Sequence, residues 1–414
     1  MNVSQAASGF GDLFAQVLDP AQRADPYPLY ARLRERPVTL QDDGTYVVST
    51  YSAITRLLHD PRTSSDERKS ARGAGALAAS GRLAPPGEPG SPPFIFLDPP
   101  EHDRLRRLVM QQFTPDRVRG MHRRIGELVN GLLDAQADRG ELDVVDDLAY
   151  PLPVTVICEL LGVPREDEPR FHDWASALAR SLDPAERIPE PEIHAARQAA
   201  LQLLGYLGQL VEIRRTRPGD DLLSALVAGA DPNDRLTPRE LLGTTALLLI
   251  AGHETTVNLV SNGMLALLRH PDVIDQLRSD PELVVPLVEE VLRYDPPVQF
   301  RTRTTLTDIE LAGVTIPKAA TVVLLLASGS RDPARFPDAG SFVPDRVDNA
   351  HLGFGGAAHY CVGAPLARVE AQTALAALAR RLVAPRLHAD PPPYRDNASL
   401  RGPARLTVGF DGMR

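Results

Sequence analysis

The stretch Phe354-Gly-Gly-Ala-Ala-His-Tyr-Cys-Val-Gly-Ala-Pro-Leu-Ala-Arg-Val-Glu370 decides how this chain is read. Taken alone, a cysteine among small residues is most often an inert packed thiol. Its neighbours change that weighting. The glycine-rich backbone ahead of Cys361 permits a loop rather than a helix, and Gly363 leaves room for a flat group to come close. Pro365 belongs in the first turn of a helix. Cys361 is therefore expected at a helix N-terminus, where orphan N–H groups and the dipole favour a thiolate. A single thiolate with no second ligand in reach suits an axial metal ligand better than a zinc cage. The iron of a haem is the leading candidate.

The stretch resembles the haem-ligand signature of the cytochrome P-450 family, F-G-x-G-x-H-x-C-x-G, with Phe354, Gly355, His359, Cys361 and Gly363 in their places. Ala357 stands where the family usually has its second glycine, and a methyl is tolerable there if φ is negative. Three further segments resemble the family in the right order, so the likeness spans the chain after about residue 20.

The first lies in a helix opened by Thr237, Pro238 and Glu240, a capping box with proline at the first helical position, and running to about Arg269. In its middle stands Ala251-Gly-His-Glu-Thr-Thr256. Ala251 and Thr255 are four apart and share a face. A glycine inside a helix costs about 1 kcal/mol relative to alanine, so Gly252 suggests close approach or a distorted turn.

The second is Glu290-Val-Leu-Arg293, which alone reads as a surface pair. The resemblance joins it to Arg346 of Phe342-Val-Pro-Asp-Arg346, making Glu290, Arg293 and Arg346 a buried, structural charge network. The third is Asp98-Pro-Pro-Glu-His-Asp-Arg-Leu-Arg-Arg107. His102 and Arg106 lie one helical turn apart; the resemblance implies that they hold haem propionates together with Arg303 and His359. Arg104 and Arg107 are expected to face outward. Two lesser departures are Ala320 for a common glycine after Ile316-Pro-Lys, and Ser330 for the usual asparagine before Arg331-Asp-Pro333.

Composition, 43% hydrophobic and 24% charged, is that of an ordinary globular protein. The 414 residues carry 45 basic and 54 acidic side chains, a net charge of −9, which disfavours a general nucleic-acid binder. Two cysteines, Cys158 and Cys361, exclude a disulfide framework and suit a reducing compartment. No secretory leader is legible, and no window reaches the roughly 18 consecutive apolar residues of a membrane span. A cytoplasmic protein without membrane attachment is expected.

Proline-punctuated helices are expected at 101–113, 115–138, 153–161, 165–181, 190–217, 222–228, 237–269, 271–279, 282–294 and 365–382. Strands are expected at 45–50, 309–316, 321–326 and 405–408, with a long loop at 64–93. The fold class is mainly α with small β sheets, in one cytochrome P-450-like domain over 1–414 whose long central helix crosses the haem. Roughly the first 20 residues are expected to be poorly ordered.

The resemblance implies a haem-thiolate monooxygenase with haem b and dioxygen as co-substrate. Cys361 is the axial iron ligand, and Phe354 and Gly363 frame it. Thr255 and Glu254 relay protons, while Ala251 and Gly252 leave space for oxygen. No G-x-G-x-x-G lies between a strand and a helix, so neither flavin nor nicotinamide is expected on this chain. A ferredoxin and ferredoxin reductase are the expected electron donors, meeting a monomer on a basic patch that includes Arg104, Arg107 and Arg368. The pocket is expected to draw on Leu97, the region Phe171 to Glu192, Leu247, Leu248, Val298, Phe300 and Leu400. A bulky apolar substrate such as a polyketide or macrolide of bacterial secondary metabolism fits, with hydroxylation or epoxidation as the reaction. A peroxygenase, a ring-coupling oxidase and a haem-binding sensor stay open.

Overall fold

The helix Pro238–Arg269 organises the molecule. Thr237 caps it as the sequence predicts: its side chain accepts from the Glu240 N–H, and the Glu240 carboxylate accepts from the Thr237 N–H. Every residue from Thr256 to Leu267 is buried, so this half has no solvent face and behaves as a core helix. In a computed structural model of the chain, residues 9–71, 73, 92–184, 188–229 and 234–414 are described.

Around this axis pack Pro151–Leu161, Glu168–Arg180, Glu190–Thr216, Val284–Tyr294 and Ala364–Arg381. One apolar core joins them, with Val257, Val260, Met264, Leu375 and Leu378 at its centre. The tightest approach is at Gly263: a Cβ there would stand 2.7 Å from Leu375 Cδ1, so the central helix and Ala364–Arg381 meet because position 263 has no side chain. At Gly252 an added Cβ would meet only Ile157, at an ordinary 3.5 Å, and the helix is continuous there. The close approach expected of Gly252 belongs to Gly263.

A five-stranded sheet flanks the helices, with strands in the order Val38–Leu40, Tyr46–Val48, Thr321–Leu324, Arg301–Thr305 and Thr63–Ser64. Tyr46–Val48 runs parallel to Thr321–Leu324 and the remaining pairs are antiparallel. Smaller sheets pair Thr407–Gly409 with Arg386–Leu387 and Glu141–Asp143, and Gly412–Met413 with Leu382–Val383. The single strand expected at 309–316 is a hairpin, Ile309–Leu311 and Val314–Ile316, turning through Ala312 and Gly313 at positive φ. None of the described helices is long and apolar enough to cross a membrane.

The expectation for the N-terminus changes. From residue 9 onward the N-terminal segment is built into the fold: Leu13–Val17 is helical, with Leu13, Phe14 and Val17 buried against Tyr30 and Phe300. Residues 1–8 lie outside the described residues, as does most of the loop 64–93. After Ile316-Pro-Lys, Ala319 is left-handed at φ 62°, next to Ala320.

Candidate active site

Cys361 ends the loop that the glycines predict. Gly355 sits at φ 70°, the Gly355 N–H donates to Leu352 O, and the Cys361 N–H returns to Phe354 O at 3.1 Å. Ala357 occupies φ 54°, so the missing glycine falls at a left-handed position and the methyl is strained. Helix Ala364–Arg381 then starts with Pro365 in its first turn. Backbone N–H groups of Gly363 and Ala364 and the charge of Arg106 favour the thiolate, yet burial outweighs them and pushes the Cys361 thiol up. The helix N-terminus alone does not generate the thiolate; a bound metal cation deprotonates such a ligand outright.

Two ion-pair networks lie near this loop, one fully buried and one partly exposed. Arg293 is fully buried and donates two bonds to Glu290, at 2.7 and 2.8 Å, and others to the carbonyls of Ser330, Ala339 and Ser341. Arg346 Nε reaches Glu290 at 3.2 Å, so the structure brings the three residues of the expected network together. Sequence reading missed the second network: Arg368 donates to Glu289 at 2.7 and 2.8 Å, and His351 lies 3.1 Å from the same carboxylate. Burial opposes ionisation of Glu289, but the Arg368 and His351 hydrogen bonds prevail and bring it down to about 2.

Cys361 opens on a cavity of about 700 Å³. Ala251, Gly252, Glu254 and Thr255 of the central helix line it, as do Phe354, Gly363, Leu247, Leu248, Val298, Phe300 and Leu400. From the region Phe171 to Glu192, Leu178, Ala179, Ser181, Leu182 and Pro184 reach it, whereas Phe171 packs edge-on against Trp174. Leu97 is not on the wall: it is buried in the main core, and Phe94, Ile95 and Phe96 face the cavity instead. The Thr255 hydroxyl donates to Ala251 O at 2.8 Å. Glu254 is buried and ion-paired to Arg395, a partner no motif announced.

Basic residues gather at one side of the cavity. Arg106, Arg303 and His359 line it, and His102 stands behind His359 with ring centroids 4.2 Å apart. Arg106 Nη2 donates to Tyr360 O at 2.6 Å, and His359 Nε2 lies 3.0 Å from Ser65 Oγ. Burial, with Arg301 adding repulsion, lowers Arg303 to about 10. Burial, then Arg303 and His102, lower His359 to about 3. Fully buried His102 leaves Nε2 without a hydrogen-bond partner. Such a cluster is short of negative charge and suits a ligand that brings carboxylates.

A haem fits these residues on three counts: Cys361 offers a soft ligand, the basic cluster is short of anions, and Gly363 keeps space open. A Cβ at Gly363 would meet no protein atom nearer than Cys361 Sγ at 4.0 Å.

Comparison with known proteins agrees with this geometry. A family model described as Cytochrome P450 matches residues 90–408. The chain belongs to the cytochrome P450 family. As a P450 monooxygenase it uses haem iron and dioxygen, a small-molecule substrate and a redox partner. It is 42% identical to the cytochrome P450 monooxygenase PikC of Streptomyces venezuelae over 93% of this chain and 91% of that one. It is 38% identical to the 6-deoxyerythronolide B hydroxylase of Saccharopolyspora erythraea over 94% and 96%. The ligand-free structure of Mycobacterium smegmatis CYP164A2 superposes with a TM-score of 0.89, at 43% identity over 97% of this chain and all of that one.

The arginines expected to form a basic patch for an electron donor are already paired. Arg104 bonds Glu240, Arg107 bonds Asp234, and Arg368 bonds Glu289. A patch built on these three is not supported by the P450 structure.

Proposed function

We propose that this P450 hydroxylates or epoxidises a bulky apolar molecule, a macrolide or related polyketide of bacterial secondary metabolism. The observation that carries the reading is the shared cavity, with Cys361 on one wall and the Ala251–Thr255 face on another. Apolar side chains at Leu247, Leu248, Val298, Phe300 and Leu400 give the substrate a surface to bury and few polar groups to satisfy. The name of the 6-deoxyerythronolide B hydroxylase relative points the same way.

Cys361 Sγ would bind the iron of a haem b, and His102, Arg106, Arg303 and His359 would hold its propionates. When bound, the haem supplies dioxygen activation with two electrons, inserting one oxygen atom into a C–H or C=C bond and releasing the other as water. Thr255 holds a proton on its hydroxyl at the cavity wall, with Ala251 O as the resting acceptor. Glu254 replenishes that proton. Ala251 and Gly252 present the least bulk on this face and leave room beside the hydroxyl. Electrons come from a ferredoxin and its reductase, with no flavin or nicotinamide on this chain, which works as a cytoplasmic monomer.

Substrate difference spectra test the reading. With 6-deoxyerythronolide B, a C14 fatty acid and a steroid as the panel, the macrolactone is expected to give the largest low- to high-spin Soret shift. A larger shift with the fatty acid or the steroid overturns the substrate class.

A further inference from the structure

Asp183 joins two walls of the main cavity from behind. It is 2% exposed, and its carboxylate accepts from the Ala398 N–H at 2.9 Å and from the Ser399 N–H at 2.8 Å, more than 200 residues further along the chain. Leu182 and Pro184, on either side of it, line the cavity, and so do Ser399 and Leu400. Arg180, the last residue of the helix Glu168–Arg180, supplies the countercharge at 2.5 Å.

Asn397 repeats the link. Its Nδ2 donates to Ala179 O at 2.7 Å, and its Oδ1 accepts from the Leu400 N–H at 2.8 Å. Ser399 Oγ adds a bond to Leu182 O at 3.0 Å. On its other side the turn 397–400 is tied to a third stretch of wall: the Gln299 N–H donates to Ser399 O at 2.9 Å, and the Arg401 N–H donates to Pro297 O at 2.8 Å. Leu400 is thus held from both sides. A buried carboxylate is costly unless donors satisfy it, and charge-assisted bonds to backbone N–H groups are among the stronger ones. Asp183 and Asn397 direct theirs across the junction between walls, just where the helix Glu168–Arg180 has ended.

We propose that Asp183 is a specificity-determining positioning residue: with Asn397 it locks the walls at 178–184 and 397–400 into one body, so that this side of the cavity keeps its width whichever ligand enters. This rests on the reading above only in taking the cavity as the substrate site. A locked wall selects by shape. A ligand that needs it displaced must first break buried hydrogen bonds, whose partners are then left unsatisfied. A ligand of matching shape meets a surface already formed, and none of its affinity is lost in ordering that surface.

The test uses the haem-loaded protein and difference spectra. Dissociation constants are measured for the three panel compounds and for two iron-coordinating azoles of different bulk, 4-phenylimidazole and econazole. The readout is the spread of the five constants, tightest against weakest, in the parent, Asp183→Ala, Asp183→Asn, Asn397→Ala and Leu133→Ala. Leu133 is a fully buried core residue of the helix Pro115–Asp134, and its truncation lowers stability away from the cavity.

The spread is expected to narrow several-fold in Asp183→Ala and by less in Asn397→Ala. Asp183→Asn, which keeps an acceptor for the turn, is expected to lie between Asp183→Ala and the parent. Leu133→Ala is expected to lower the denaturation midpoint and keep the parental spread. A parental spread in Asp183→Ala overturns the proposal and leaves Asp183 a stabilising residue only. Equal narrowing in Leu133→Ala also overturns it, since any loss of stability would then produce the effect. If Asp183→Ala does not fold, Asn397→Ala decides by the same criterion. A panel compound that binds more tightly than the macrolactone overturns the substrate class alone, and the five constants still test the lock.

Discussion

The rings of His102 and His359 pack against each other at 4.2 Å, although the residues come from the helix Glu101–Met110 and the cysteine loop. This contact locks the start of that helix onto the loop that ends in Cys361. His102 is fully buried and its Nε2 is unsatisfied within the protein, a state that costs about 1–3 kcal/mol unless a ligand supplies the acceptor. His102→Phe keeps the stacking surface and removes the donor. Haem release to apomyoglobin is expected to quicken about tenfold, corresponding to the lower half of that range, with the circular dichroism of the folded protein unchanged.

Ala357 at φ 54° carries the one departure from the haem-loop motif. A left-handed alanine costs about 1–2 kcal/mol relative to a residue free of a Cβ clash. Ala357→Gly is therefore expected to raise the denaturation midpoint of the holoprotein by an amount equivalent to about 1 kcal/mol, part of the gain being offset by the looser unfolded chain. A lower midpoint would mean that the loop does not hold residue 357 in this conformation.

Glu290 and Arg293 have fully buried side chains in a shared network with Arg346 and Asn349. Removing one member leaves the other charge buried without a partner, at a cost of about 3–5 kcal/mol. Arg293→Ala is expected to yield little folded, haem-binding protein at 25 °C. Arg346→Ala, which cuts the longer contact to Glu290, is expected to fold with a reduced denaturation midpoint. Equal stability of both variants and the parent would refute a supporting role for the network.

His253 is buried against Tyr150, and desolvation, with Arg395 and His172 adding to it, lowers its pKa to about 3 from an ordinary 6.5. Between those values the unfolded chain binds a proton that the folded chain refuses. The contribution of neutral His253 is therefore complete above pH 6.5 and lost as pH falls towards 3. Denaturant titrations at pH 7 and pH 4.5 are expected to show a smaller loss for His253→Phe than for the parent. An equal loss would place the acid sensitivity elsewhere.

Local signals carried the readable part of the fold. Thr237, Pro238 and Glu240 state the start of the central helix, and proline marks the starts of Pro115–Asp134 and Pro271–Ser279. What sequence could not supply is long-range. Arg301–Thr305 reads as a polar segment, Arg-Thr-Arg-Thr-Thr, and is a strand because Thr321–Leu324 and Thr63–Ser64 flank it. Arg395 pairs with Glu254 across 141 residues, with no motif around it. Gly252 and Gly263 look alike in sequence, and only the position of Leu375 separates a cavity-lining glycine from a packing one. Of the candidate site, the cavity-lining members of the central helix and the cysteine loop follow from motifs, whereas Leu97 was misplaced because its neighbours Ile95 and Phe96 face the cavity.

The account depends on Cys361 as the iron ligand, and the ferrous carbonyl spectrum tests this most directly. Cys158 serves as the internal control: it is fully buried in Pro151–Leu161, and desolvation raises its pKa far above the ordinary thiol range. The parent and Cys158→Ser are expected to give the red-shifted Soret band of a thiolate-ligated haem, and Cys361→Ser to lose it. Retention of that band in Cys361→Ser, or its loss in Cys158→Ser alone, would contradict the assignment.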